Sequence, residues 1–178
     1  MRYSTPVLLI SALAGAQGFV VQRDAKAIIG VLSSVQTDID GLDTAVKAWT
    51  ADPAPVLDAS NKLVATIGQG TGTVQGSQEL SLNEAISLLG PVKDLKAHAQ
   101  TLVDDLKGKK DIVIKGGLCE AVSSQVTSIG DKSKGLIDAT VSKVPQGAQD
   151  IAKQQAQGFV DILNDASSAF SPENCKNA

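Results

Sequence analysis

The stretch from residue 28 to residue 49 constrains the fold more than any other part of the sequence. Seven apolar residues recur in it at alternating steps of four and three: Ile28, Leu32, Val35, Ile39, Leu42, Val46 and Trp49. This spacing places all seven on one face of an α-helix, whereas a half-buried strand would need strict alternation. The polar residues between them, Asp38 and Asp40 included, are expected to face water. Because an isolated helix of this length is only marginally stable, the rest of the chain must cover the apolar face.

The ends of this helix and the start of the next are marked by turn-forming residues. The first helix is expected to begin near Asp24, an acceptable N-cap, and to end before Pro53. A second helical pattern starts at Pro55, a residue favoured in the first helical turn. Its distal half carries Gly68, Gly70, Gly72 and Gly76, and each glycine costs about 1 kcal/mol relative to alanine in a helix. We therefore expect a kinked, frayed or closely approached segment there.

Three more helical patterns follow. Ser81 and Glu84 form a capping box that opens a third helix, and Pro91 inside this pattern should bend its axis. The β-like run from Ile112 to Ile114 has no partner run, so we interpret it as a packed connector or as the approach to the fourth helix. A fifth helix follows Pro145. The fold class predicted is therefore all-α, an up-and-down bundle of about five amphipathic helices.

The N-terminal segment has the features of an export signal. Arg2 provides a positive charge, the eight residues from Val7 to Ala14 are apolar except for Ser11, and small residues come next. Such a run is too short to cross a bilayer, so residues 1–18 are predicted to be a secretory signal peptide and residues 19–178 a single helical-bundle domain. With no other apolar segment of spanning length, we expect a secreted, extracellular protein that does not span a membrane.

The two cysteines gain meaning from this predicted export. An oxidising compartment permits a disulfide, and Cys119 and Cys175 have only each other as partners within the chain. We therefore predict that they are joined, with an intermolecular bridge or two free thiols as the alternatives. Two cysteines and the single His98 do not make a four-ligand zinc pattern, so no metal site is predicted.

Charge and motif content argue against several functional classes. The chain carries 16 basic and 19 acidic residues, which disfavours a nucleic-acid partner. No nucleophile elbow surrounds any serine, and His98 lies beside an apolar helical stripe, where a boundary residue is far more common than a catalytic base. The glycine spacing at residues 68–72 does not match a dinucleotide-binding fingerprint. We predict no catalytic residue, no cofactor and no enzymatic activity.

Several of these features together resemble one protein family. The first helix follows the pattern D-A-x-x-I-x-x-V-x-x-x-V-x-x-x-I-D-x-L-D-x-A-V over residues 24–46. A signal peptide precedes it, a small-residue second helix follows it, and one cysteine lies in the fourth helix and one in the tail. The combination resembles the fungal hydrophobic-surface-binding proteins, also described as cell-wall galactomannoproteins.

The resemblance implies a non-enzymatic helical-bundle protein of the secretome or cell wall that binds apolar material. The expected partner is a fatty acid or other lipid within the bundle, or a hydrophobic surface to which a secreted polyester hydrolase is recruited. The chain lacks a Ser/Thr-rich stalk and a C-terminal anchor signal, which argues against covalent wall attachment. The alternative is a structural cell-wall mannoprotein with a solid core and no ligand.

If an acyl chain is held along the bundle axis, the middles of the apolar stripes should surround it. We therefore predict a lining made by Val35, Ile39, Leu42, Leu63, Ile67, Leu89, Val92 and Leu136. Each of these residues could equally well be ordinary core. A carboxylate head would need donors at one mouth, from Ser, Thr or Gln side chains or from free amides at a helix N-terminus.

Overall fold

The computed structural model describes the backbone of residues 18–178 and the side chains of residues 24–178. Seven α-helices lie in this range: α1 (Gly18–Ala48), α2 (Ala54–Gly76), α3 (Leu82–Ser87), α4 (Leu89–Gly108), α5 (Lys110–Lys115), α6 (Cys119–Lys143) and α7 (Gln149–Ala169). A 3-10 turn, Gln146–Ala148, precedes α7. With no strand in the described range, the all-α class is confirmed. Apart from Gly18, the predicted signal peptide lies outside the described residues.

The five long helices form a closed ring in the order α1, α2, α6, α7, α4. Consecutive long helices run in opposite directions, as predicted for an up-and-down bundle. The ring order differs from the chain order, however, because α2 packs beside α6 and α1 packs beside α4. Within the described range, α3 carries the chain across one end of the ring from α2 to α4, and α5 carries it across the other end from α4 to α6.

Different elements cover the two ends of the ring. The α3 end contains α3, the 3-10 turn and the start of α7. The disulfide end contains α5 and the bridge between Cys119 and Cys175, whose Cα atoms are 5.5 Å apart. This intramolecular bridge confirms the predicted pairing. It fastens the C-terminal tail to the first residue of α6, where the Cys119 N–H also donates to Asn177 Oδ1 at 3.1 Å.

The apolar face of α1 is buried as predicted, but one polar residue is buried with it. All seven residues of the stripe are at most 7% exposed. Asp38 is also only 7% exposed, so the expectation that it faces water is wrong. Its carboxylate is covered by α2, where Lys62 Nζ lies 2.8 Å from Oδ1 and Thr66 Oγ1 donates to Oδ2 at 2.6 Å. A buried carboxylate with such partners is stable because its charge and lone pairs are satisfied.

Two boundaries differ from those predicted. Among the described residues, helix α1 already includes Gly18, ahead of the predicted start near Asp24, since no proline interrupts the residues between them. The predicted third helix is split at Leu88 into α3 and α4, because Pro91 has no N–H to donate to the carbonyl of Ser87. The capping box of Ser81 and Glu84 is present, as predicted.

Two other segments discussed from the sequence are helical: the short run from Ile112 to Ile114 and the glycine-rich part of α2. The run lies in α5 as a packed connector, with Val113 fully buried. Helix α2 continues unbroken through its glycines, and one of them is closely approached: a Cβ at Gly70 would lie 2.5 Å from Val31 Cγ1. Gly70 therefore lets α1 and α2 pack with their backbones close together.

Candidate ligand cavity

The ring of five helices encloses an elongated cavity of about 330 Å³. Its lining extends from Val46 and Val56 near the disulfide end to Ile86 and Ile151 at the α3 end. Along α4 it runs from Leu89 to Leu106, which corresponds to about 25 Å at the rise of an α-helix. The cavity therefore follows the long axis of the bundle and has the shape of a narrow tube.

The cavity arises because the apolar stripes of the ring helices face a common centre. In α1, five members of the stripe line it, and Ile28 and Trp49 are buried beyond its two ends. The side chains that meet at the centre are mostly Val, Leu, Ile and Ala, which are too short to fill a five-helix ring. An interior of this composition leaves room along the axis where larger aromatic residues would fill it.

All eight residues predicted to form an acyl lining do line the cavity. They come from four helices: Val35, Ile39 and Leu42 from α1, Leu63 and Ile67 from α2, Leu89 and Val92 from α4, and Leu136 from α6. Leu89 differs from the others because it is 42% exposed at the α3 end. That these residues contact a ligand remains a prediction.

Sequence reasoning missed the contribution of α7. Its cavity-lining residues are Ile151, Ala152, Gln155, Ala156, Phe159, Ile162, Leu163 and Ala166. The helical periodicity of these residues is visible in the sequence, but the predicted acyl lining includes only residues from the apolar stripes of the preceding helices. The periodicity of a stripe shows which face of a helix is buried and not which other helices that face meets.

Among the described residues, only five side chains with hydrogen-bonding groups line the cavity: Ser60, Gln125, Ser133, Thr140 and Gln155. Ser60 Oγ donates to Gln125 Oε1 at 2.8 Å, and Thr140 Oγ1 donates to the Leu136 carbonyl at 2.8 Å. Within the described part of the chain, the side chains of Ser133 and Gln155 make no hydrogen bond to protein. These two residues, on α6 and α7, can therefore offer donors to a polar group inside the cavity.

Charged side chains lie outside the cavity, on the seams between helices. Burial alone raises the pKa of the Asp38 carboxyl, but hydrogen bonds from Lys62 and Thr66 and the charge of Lys62 outweigh this and leave the pKa below its ordinary value. On the seam between α1 and α4, Lys47 Nζ lies 3.1 Å from Asp105 Oδ2. The hydrogen bond from Lys47 lowers the pKa of Asp105.

His98 also lies on the seam between α1 and α4 and does not line the cavity. Its Nδ1 is 2.5 Å from Asp40 Oδ1, and its Nε2 is 3.1 Å from Gln36 Nε2. Both members of the histidine–carboxylate pair are more than a third exposed. The pair thus links two ring helices at the surface, where ion pairs contribute little.

Among the residues that the structure describes, no group of three His, Cys, Asp or Glu side chains is arranged to hold a metal ion. Nor does any helix in this range combine the length and the apolar character needed to cross a bilayer.

Comparison with known proteins gives matches in both sequence and structure. The chain is 33% identical to cell wall mannoprotein 1 of Aspergillus fumigatus over 95% of its length and 28% identical to that of Aspergillus flavus over 96%. It spans 62% and 63% of the lengths of these two relatives, so it is shorter than either.

Two solved structures share the fold over most of both chains. Ligand binding domain 1 of Penicillium marneffei MP1 protein, complexed with arachidonic acids, has a TM-score of 0.81 and 25% identity, and the match covers 84% of this chain and 99% of that domain. AFMP4P in complex with palmitic acid has a TM-score of 0.77 and 25% identity, and the match covers 83% of this chain and 99% of that one.

The family model described as hydrophobic surface binding protein A matches residues 25–142. This range contains most of α1 and all of α2 to α5, together with nearly all of α6. It makes up well over half of the chain, and the chain therefore belongs to the hydrophobic surface binding protein A family.

Proposed function

We propose that this protein is a secreted, non-enzymatic carrier that holds a single-chain fatty acid in the cavity of its helix ring. The observation that carries the proposal is the tube-shaped cavity, lined by apolar side chains from every ring helix. Two structural relatives bound to arachidonic and palmitic acids support it. An axial cavity also argues against the alternative of a structural protein with a solid core.

The dimensions of the cavity suit an extended acyl chain. Three backbone bonds of an extended polypeptide span about 3.5 Å, so a sixteen-carbon chain of similar bond geometry spans about 18 Å. The lining along α4, about 25 Å long, accommodates this length with room for a head group. Burial of each methylene contributes about 0.8 kcal/mol, so the chain supplies on the order of 10 kcal/mol before ordering costs.

The carboxylate needs hydrogen-bond donors because an unpaired carboxylate in an apolar site is costly. Ser133 Oγ and the Gln155 side-chain amide are the cavity groups that can donate without breaking a hydrogen bond to the protein. We place the head group between α6 and α7 at these residues. The acyl chain then lies against the α1, α2 and α4 stripes.

The predicted signal peptide supports a secreted protein, and the cell-wall mannoprotein relatives support residence at the cell wall. The family's description supports a second mode of binding, to hydrophobic surfaces. Recruitment of a secreted polyester hydrolase to such a surface is part of our proposal. Leu82, Ile86, Leu89 and Ile151 favour this mode because they are large, apolar and 42–54% exposed. This second mode is tested by comparing adsorption to a polyester film between the wild type and a variant in which these four side chains are replaced by serine.

The carrier function is tested by titrating delipidated protein with cis-parinaric acid, a fluorescent fatty acid. We expect saturable binding with a Kd in the micromolar range or tighter. Ile39→Trp places an indole in the middle of the cavity, and exclusion of about four methylenes weakens binding by about two orders of magnitude. The matched control, Thr37→Trp, adds the same group to an exposed position of α1 and leaves the Kd unchanged.

Replacement of Ser133 by alanine together with Gln155 by leucine tests the head-group position in the same assay. We expect weaker binding of the acid and unchanged binding of its methyl ester. A wild-type Kd weaker than roughly 100 μM, unaffected by Ile39→Trp, would exclude the carrier function because burial of the chain should supply much more than this affinity.

A further inference from the structure

The two ends of the cavity are covered very differently. At the disulfide end, the side chains of Trp49, Val113 and Phe170 are at most 3% exposed and close the ring together with the disulfide. At the α3 end, Leu82, Ile86, Leu89 and Ile151 are 42–54% exposed and also line the cavity. Side chains that contact both water and the cavity mark the place where the interior reaches the surface. The α3 end is thus the mouth of the cavity.

Helix α3 lies across this mouth, held at its two ends. Before it, Leu80 is 3% exposed and its N–H donates to the Lys143 carbonyl at 2.8 Å. After it, Leu88 is 3% exposed. Between these two anchors, Ala85 is the buried residue of the six-residue helix. A segment with firm ends and little buried surface between them can move without unfolding the rest of the bundle.

The local structure of α3 depends on its capping box. Ser81 Oγ accepts a hydrogen bond from the Glu84 N–H, and Glu84 Oε2 accepts one from the Ser81 N–H at 2.9 Å. A helix of six residues is too short to be stable through its own backbone hydrogen bonds. The capping box therefore determines how much of the time this segment is helical.

The side walls of the ring offer a less favourable route for a ligand. Asp38 joins α1 to α2 through Lys62 and Thr66, and Lys47 joins α1 to α4 through Asp105. Ser60 joins α2 to α6 through Gln125, and Lys107 joins α4 to α7 through Asp165 at 2.9 Å. Among the described residues no such link joins α6 to α7. Separation of any two ring helices, these included, would nevertheless expose long apolar stripes, whereas displacement of α3 exposes only a few side chains.

We infer that α3 is a lid over the cavity mouth, and that opening of this lid, controlled by the capping box of Ser81 and Glu84, sets the rate at which the acyl ligand enters and leaves. The inference rests on the proposed carrier function. Because Ser81 and Glu84 do not line the cavity, they affect the path of the ligand and not its bound contacts. A lid of this kind has a kinetic signature, since easier opening raises the association and dissociation rates equally and leaves the Kd unchanged.

The test measures both rates for cis-parinaric acid by stopped-flow fluorescence, with excess lipid-free albumin as the trap for dissociation. Removal of the capping box by Ser81→Ala with Glu84→Ala is expected to raise both rate constants about five-fold, the typical effect of losing a side-chain cap. Asn83→Ala, a change to a better helix former in the first turn of α3, is expected to slow both about two-fold. The Kd remains the same within two-fold in each variant.

The matched control removes a side-chain hydrogen bond to the backbone at a helix N-terminus at the opposite end of the ring. Asp52 Oδ1 accepts a hydrogen bond from the Ala54 N–H at 3.0 Å at the start of α2, and Asp52→Ala should leave both rates unchanged. Saturable binding with unaltered rates in the α3 variants, or equal acceleration by Asp52→Ala, would overturn the lid. Absence of saturable binding by the wild type would instead overturn the carrier function, and the lid with it.

Discussion

Removal of the disulfide should destabilise the protein strongly, and the size of the effect follows from the position of the bridge. Cys119 and Cys175 are 56 residues apart in sequence. In the chain-entropy account, a loop of this length restricts the unfolded chain by about 4 kcal/mol. The bridge also holds the tail, where Asn177 Oδ1 accepts a hydrogen bond from the Cys119 N–H and the Ala178 N–H donates one to the Ile114 carbonyl. We therefore expect Cys119→Ala with Cys175→Ala to lower the free energy of unfolding by about 4 kcal/mol.

Urea denaturation followed by circular dichroism measures this loss, and thermal melts provide an independent value. For a chain of this size, 4 kcal/mol corresponds to a Tm lower by about 8–16 °C. The m-value should rise as well, because an unfolded chain without the bridge exposes more surface. Wild-type protein treated with a thiol reductant is the control and should match the variant. A loss below about 1 kcal/mol with an unchanged m-value would refute the reasoning.

Two other predictions concern the seam between α1 and α2. Gly70→Ala should lower the free energy of unfolding in urea by about 1–3 kcal/mol, because its Cβ would meet Val31 Cγ1 at 2.5 Å. Adding Val31→Ala should restore most of this loss. Gly72→Ala, where the Cβ enters open space, should instead raise the free energy of unfolding by up to about 1 kcal/mol. Because the pKa of Asp38 is lowered in the folded protein, its contribution to stability is complete above the unfolded carboxyl pKa of about 4 and is lost as the pH falls through the folded pKa. Asp38→Asn should therefore flatten the decline in Tm below pH 4. A pH profile of Tm identical to that of the wild type would contradict this.

Much of the helical structure could be predicted because it depends on local chemistry. The seven-residue stripe of α1 and the capping box at Ser81 are properties of short segments, and both are present in the structure. The split at Leu88 differs from the predicted bend only in degree, since the missing N–H of Pro91 causes both. Such features need no knowledge of the neighbouring helices.

The ring order and the burial of Asp38 could not be predicted because they depend on partners distant in sequence. Lys62 and Thr66, which cover Asp38, are 24 and 28 residues away, and nothing in the α1 pattern identifies them. For the same reason, periodicity identifies eight residues that line the cavity, whereas the share of the lining contributed by α7 could not be predicted. Hydrophobic periodicity gives the orientation of each helix and leaves its neighbours open.

Because the cavity lies at the centre of the ring, folding of the chain and filling of the cavity by a ligand are thermodynamically coupled. Unfilled apolar volume lacks dispersion contacts along its walls, so an empty cavity lowers the free energy of unfolding relative to a filled one. A molecule that fills this volume restores the missing dispersion contacts and packs as part of the hydrophobic core. At a ligand concentration of 100 times the Kd, mass action adds about 2.7 kcal/mol of stability. Resistance to heat and proteolysis would then vary with the supply of lipid in the protein's surroundings.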